Sequence, residues 1–416
     1  MIRRSASCMA CGLTAFVLLI ALFVPATGWA PGRHLEALLL LREMAAPDAA
    51  SSLRPMTGPP LRQALTYTVA GRAHRADLYL SAPLDTCAPT ENKETERKPG
   101  LGGNCPAAAL VAVPGVTAQG KDDPRLAAFV ATLARAGFAV LVPEIEGFRE
   151  MRIRPADVRE IADAFAYVIS RPELAPQGRA GMFAFSYSAG PALLAALEPD
   201  IREKVRFVAG VGGYHDLMRT MRFFTTGWFE HEGRWSYLLP DDSGKMVLLY
   251  SSLGYLPEGD DHAVFDRMVE LRLRDPRADL AEPAARLSAE ARTVYALAVN
   301  NDPARFPELF ARLPEAMRAD LTRLNLARHD LKALKARLLL VHGRDDNLIP
   351  FPESLALAAA APEGRADVFL IRRVLGHVEL SFSHLQSWRF WSQDLPDLWR
   401  LWRAVDWLLA QREVVA

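Results

Sequence analysis

Three side chains, Ser188, Asp346 and His377, stand in the order and settings that nucleophilic catalysis by a serine requires. A serine hydroxyl is a weak nucleophile until a base takes its proton, and the base needs a carboxylate to hold its ring. Ser188 lies in Phe183-Ala-Phe-Ser-Tyr-Ser188-Ala-Gly190, an apolar strand pattern followed by S-x-S-x-G and a run of small residues. A sharp strand-to-helix turn forces its central residue into a strained conformation, and the residues two positions away must then be small. Ser186 and Gly190 meet that condition, so Ser188 is predicted as the nucleophile, at a helix N-terminus whose dipole favours negative charge. The usual form is G-x-S-x-G, and Ser186 in place of the first glycine departs from it.

The base and its orienting acid are sought after later strands. Val341-His-Gly-Arg-Asp-Asp346-Asn-Leu-Ile-Pro350 follows one apolar run, and Val374-Leu-Gly-His377-Val follows the next. Both candidates fall just beyond strand C-terminal ends, where open α/β sheets place their sites. Asp345 competes with Asp346, and His384 is the alternative base. His342 is expected to be structural.

The elements that must position these groups are legible as alternating strands and helices. Residues around Gly71 alternate apolar and polar, as in an antiparallel hairpin. Continuous apolar runs at Ala108–Gly115 and Phe138–Ile145 predict strands buried on both faces, and Ala180–Ser186, Val205–Gly213, Ala336–Gly343 and Ala366–Val374 are predicted as further strands. Helices are predicted at Pro124–Ala136, Pro155–Ser170, from Ala189, and at Asp397–Gln411. The class is α/β, with a mostly parallel central sheet of about eight strands and helices on both faces. Residues 214–335 show no strand alternation and read as a helical insertion between a first core part, 65–213, and a second, 336–416. Four helices are expected there, at His262–Leu273, Pro283–Ala298, Pro303–Leu313 and Pro314–Leu324, with aromatics such as Phe223, Phe224, Trp228 and Trp235 forming the insertion's own core.

At this point the chain resembles the α/β-hydrolase superfamily over roughly Leu65 to Gln411. The resemblance implies that H-G-x-x-D-x-x-[VI]-P carries the triad acid on Asp346 and that Gly376-His377 carries the base. It also implies an oxyanion hole of two backbone N–H groups, here those of Ala189 and Val116. A serine hydrolase acting on a carboxylic ester through an acyl-enzyme is expected, with the insertion as its lid and the source of the pocket walls. A peptidase, an acyltransferase, or a catalytically silent binding module are the alternatives.

Other features bound the function. Forty-nine basic residues balance 49 acidic ones, which argues against a nucleic-acid partner. No phosphate-binding loop and no H-E-x-x-H occur, so neither cofactor nor metal is expected. Arg3 and Arg4 precede an uncharged run, Ser5 to Gly32, centred on Leu13–Val24. Residues 1–32 read as a membrane anchor or a cleaved signal peptide, and 33–64 as a helix and linker beyond it. Either reading exports the rest, to the periplasm or beyond; an uncleaved anchor also makes the membrane a partner, beside a small-molecule acyl substrate, and a cleaved leader gives a secreted protein. Cys8 and Cys11 fall inside that leader. Cys87 and Cys105 flank a polar stretch inside an insertion, 83–106, and in an oxidising compartment form a candidate disulfide.

Overall fold

The structure is a computed structural model and describes residues 31–45, 53, 56–87, 105–257, 259–275, 278–377, 380 and 388–413. In chain order the first elements are α1 (Pro31–Ala45), β1 (Leu61–Val69), β2 (Arg72–Leu80), β3 (Ala108–Val113) and α2 (Pro124–Arg135). Next come β4 (Phe138–Pro143), α3 (Pro155–Ile169), β5 (Ala180–Phe185), α4 (Ala189–Ala195) and β6 (Val205–Val211). The insertion opens with α5 (Leu217–Thr226), the strands β7 (Trp228–His231) and β8 (Arg234–Tyr237), and α6 (Ser243–Ser252). After its remaining helices the chain returns through β9 (Arg337–Gly343), α7 (Pro352–Ala360), β10 (Ala366–Ile371) and α8 (Leu395–Ala410).

Eight strands form one sheet in the order β1-β2-β4-β3-β5-β6-β9-β10. β1 and β2 are joined by Ala70 and Gly71, both at positive φ, the conformation that a two-residue hairpin needs. β2 also runs antiparallel to β4, and every later pairing is parallel. The expected mostly parallel sheet of eight strands, with helices on both faces, is what the chain forms.

Alternation along each strand sorts the core into two layers. Val111, Met182, Val208 and Leu340 point to the face covered by α3 and α4. Leu110, Phe183, Ala209 and Leu339 point to the other, covered by α1, α2 and α8. α1, at the start of the expected helix and linker, is therefore part of the body. Its Ala37, Leu40 and Leu41 are buried against that second layer. Arg412 pairs with both Glu36 carboxylate oxygens at 2.6 and 2.7 Å, and the Trp402 indole N–H donates to the His34 carbonyl at 2.9 Å. The reason is that α8 presents one apolar face too wide for the sheet alone, and α1 covers the remainder.

The insertion departs from the expected all-helical reading. Its helices at Asp261–Arg274, Ala281–Ala285, Ala289–Ala298, Phe306–Ala311 and Glu315–Arg323 match the expected regions approximately, with the second expected helix broken in two. β7 and β8 were not expected. They form a separate hairpin whose turn, Glu232-Gly233, has φ of 51° and 74°. Strands of four residues each are too short to show alternation above the background. Phe223 and Phe224 are buried as expected, while Trp235 and Tyr237 are about half exposed, and Trp235 lies under the Arg222 guanidinium.

Among the described residues no helix is long and apolar enough to cross a membrane. The expected leader, apart from Pro31 and Gly32 at the start of α1, lies outside the described residues, as do Cys8 and Cys11.

Candidate active site

The acid and base meet. β9 ends at Gly343, and the turn after it brings Asp346 back beneath the sheet edge, where it is 1% exposed. Its Oδ1 accepts the backbone N–H groups of Leu348 and Ile349, each at 2.9 Å. Its Oδ2 accepts from Nδ1 of His377 at 2.7 Å. Burial alone would raise this carboxyl, but His377 and His342 beside it outweigh burial and hold it well below the usual carboxylate range. The ionised carboxylate can only accept, so Nδ1 carries the hydrogen and Nε2 of the neutral ring carries the lone pair. That Nε2 is buried and has no hydrogen-bond partner among the described residues. Asp345, the competitor, is exposed. His384, the other candidate base, lies outside the described residues.

His342 has a different place. Its Nδ1 accepts from the Ser354 hydroxyl at 2.6 Å and its Nε2 donates to the Ile349 carbonyl at 2.9 Å, which fixes the turn that carries Asp346. Gly212, at φ +63°, passes under the pair. A Cβ there would lie 3.1 Å from Asp346 Oδ2 and 3.2 Å from His377 Nδ1. The sequence reading missed this position. A glycine just after the strand next to β9 was its available signal.

The turn after β5 does not place Ser188 as expected. Ser188 has an ordinary helical backbone, φ −69° and ψ −15°, and is fully buried. Its hydroxyl is turned back on the strand, donating to the Phe185 carbonyl at 2.7 Å and accepting the Phe185 N–H at 3.2 Å. The strained residue is Ser186, with φ +55°. Non-glycine residues adopt this region rarely, and it persists only where the surroundings enforce it, often at functional sites. The residues two positions either side of Ser186 are Ala184 and Ser188, both small. The steric condition therefore holds for Ser186 as well as it did for Ser188. Gly190, which had completed the expected motif, answers another demand: a Cβ there would collide with the Tyr214 ring and hydroxyl.

The same shift affects the oxyanion donors. The Ala189 N–H is already spent inside the turn, directed at the Ser186 and Tyr187 carbonyls. The residue after Ser186 is Tyr187. Its ring is buried edge-on to Phe224 at 6.3 Å, which locks the turn against the insertion. Its hydroxyl is pushed well above the usual tyrosine range by burial, with the negative Asp346 adding to it. Val116, in the loop after β3, lines the same cavity as the turn.

Ser186, Tyr187, Val116 and His377 all line one cavity of about 970 Å³, whose lining does not include Ser188. That volume is at the upper end for small-molecule sites. The expected source of its walls is corrected as well. The insertion contributes Ser243 and Val247, whereas most of the lining comes from core helices and from the sheet itself. Among the described residues no cluster of His, Cys, Asp and Glu is arranged to hold a metal ion. Cys105 is disulfide-bonded. The side chain of Cys87 lies outside the described residues.

The strand order, the antiparallel edge and the Asp–His pair on loops after β9 and β10 are those of the α/β-hydrolase fold. No family model matches the chain, and no curated protein matches it. Several solved structures are similar to it. A puromycin-hydrolyzing peptidase of Mycobacterium tuberculosis is 13% identical, with a TM-score of 0.45 over 85% of this chain and 38% of its own. An esterase of Pyrococcus furiosus is 12% identical, with a TM-score of 0.42 over 85% of this chain and 91% of its own. A dienelactone hydrolase of Anabaena variabilis is 13% identical, with a TM-score of 0.39 over 85% and 96%. The chain thus spans well under half of the mycobacterial peptidase. The fold assignment rests on the sheet, not on these values.

Proposed function

We propose that the chain is a serine hydrolase acting on a carboxylic ester, with Ser186 rather than Ser188 as its nucleophile. The observation that carries this reading is the Asp346–His377 pair, bonded at 2.7 Å, whose unpartnered Nε2 shares a cavity with the strained Ser186. His377 Nε2 takes the Ser186 proton as Oγ adds to the acyl carbonyl. Asp346 keeps the ring in the required tautomer and stabilises the imidazolium. The N–H groups of Tyr187 and Val116 receive the oxyanion, each contributing about 3–4 kcal/mol to the transition state. The imidazolium returns its proton to the leaving alcohol, and water repeats the cycle on the acyl-enzyme.

An ester is favoured over a peptide because the cavity lining is mostly apolar, and a buried peptide brings polar groups that need partners. The disulfide of Cys105 supports an exported protein, since such bonds persist in oxidising compartments, and Cys87 across the polar insertion is its proposed partner.

A fluorophosphonate probe tests the assignment. The wild-type chain and Ser188→Ala are expected to label and Ser186→Ala is expected not to. Labelling that survives Ser186→Ala and disappears in folded Ser188→Ala restores the original assignment. Folded wild-type protein that never labels removes the hydrolase reading altogether.

A further inference from the structure

The cavity that opens at Ser186 does not stop at the rim of the sheet. It continues along the second face of the sheet, between that face and the helices α2 and α8, as far as α1. Phe183, Phe185, Leu339 and Val341 form its sheet wall. Leu401, Ala404, Val405 and Leu408 form the opposite one. These are spaced three, one and three residues apart, so they make a single stripe along α8, about 10 Å long at 1.5 Å per residue. Phe129 of α2 closes a third side, its ring 4.7 Å from that of Phe183 and 5.2 Å from that of Phe185. Leu41 and Met44 of α1 lie at the lining too.

Protein interiors are close-packed and voids larger than a water molecule are few. Three of the cavity's lining residues on α2 and α8 are small: Ala128, Ala131 and Ala404. Charge is sparse along this lining and sits on α1 and α2: Asp123 and Arg125 at the start of α2 pair at 2.9 Å, and Glu43 of α1 and Arg135 at the end of α2 are its other carboxylate and guanidinium. A peptide or sugar in this channel would bury polar groups against aromatic and aliphatic walls, at a cost of several kcal/mol where no partner is met. A hydrocarbon brings no such groups.

We propose that this channel receives the acyl chain of a long-chain ester, held with its carbonyl at Ser186. The proposal deepens the hydrolase reading and rests on it for the chemistry. The helices of the core, rather than the insertion, then set chain-length preference, and α1 terminates the channel.

Two measurements on the full-length protein test it. The first is kcat/KM for p-nitrophenyl butyrate and p-nitrophenyl dodecanoate. The wild type is expected to favour the longer ester, gaining up to about fourfold per buried methylene, or about 0.8 kcal/mol. In Ala404→Phe, which fills the channel, the ratio of dodecanoate to butyrate is expected to fall at least tenfold. The second uses Ser186→Ala and needs no turnover: fluorescent 11-(dansylamino)undecanoate is expected to bind and to be displaced by dodecanoate but not by butyrate. Long-chain binding without hydrolysis of either ester supports the channel while the hydrolase reading fails. Hydrolysis without chain-length preference, or Ser186→Ala that binds no fluorescent acid, overturns the channel while leaving the hydrolase reading intact.

Discussion

The turn after β5 and the two loops after β9 and β10 meet at one edge of the sheet but are built by opposite means. The loops hold their residues by charge and hydrogen bonds. Asp346 accepts from two backbone N–H groups and, at Oδ2, from the His377 imidazole, with His342 Nε2 3.3 Å from the same oxygen. The turn holds its residue by backbone strain. Ser186 sits at φ +55°, and the serine two residues on is tied down by the strand it follows. A charge pair is specific about residue type, so either partner can be found by its chemistry. A strained turn is specific about conformation and size, so two small hydroxyl residues look interchangeable until the chain is folded.

The largest effect sharpens this contrast within the turn. Ser186→Ala is expected to lower kcat for ester hydrolysis on the order of 10⁴-fold or more, whereas Ser188→Ala keeps it within about tenfold and loses about 1–2 kcal/mol of stability with its two bonds to Phe185. Steady-state rates and urea midpoints read both. Equal losses of activity in two folded variants would erase the distinction between the serines.

Next comes the corresponding contrast within the loops. Asp346→Asn is expected to cost roughly 10³–10⁴ in kcat with little change in KM, because the ring loses its tautomer and its counter-charge. Asp345→Asn, exposed and one residue away, is expected to stay within about twofold. A large effect at Asp345 would move the acid.

Gly212→Ala touches the loops through a neighbour. Positive φ and a Cβ 3.1 Å from Asp346 Oδ2 are expected to destabilise the fold by about 1–3 kcal/mol and to lower kcat more than they raise KM. Thermal unfolding and steady-state kinetics check both halves. An unchanged kcat would show that the pair tolerates displacement.

The smallest effect is one of pH. Asp346 titrates below its ordinary value in the folded chain, so its ionised form favours folding. That contribution is complete above the unfolded carboxyl pKa, about 4, and fades as pH falls through the lower folded value. The stability gap between wild type and Asp346→Asn is therefore expected to be largest at neutral pH and to narrow below about pH 4. Urea midpoints at pH 7 and pH 3 measure it, and a gap that widens in acid contradicts the charge assignment.

Much of the sheet was readable in advance because strands buried on both faces are continuous apolar runs, and β3, β4, β5, β6 and β9 each fill one such run. Asp346 and His377 were readable for a related reason: a polar residue just past such a strand has only the sheet edge to occupy. The hairpin β7–β8 was not, since its strands are too short and its aromatics too exposed to show a period. Nor was Gly212, whose importance lies in what it leaves room for.

The order of residues along the chain was enough to decide that strands alternate with helices, that both faces of the sheet are covered, and that an acid and a base follow late strands. These are consequences of local pattern, and local pattern is what a linear chain records. Which serine is strained, which N–H is already bonded, and where the core is left hollow were decided only by the fold. Each depends on atoms distant in sequence meeting in the same volume: Tyr214 against Gly190, Phe224 against Tyr187, and α8 facing the sheet across the cavity.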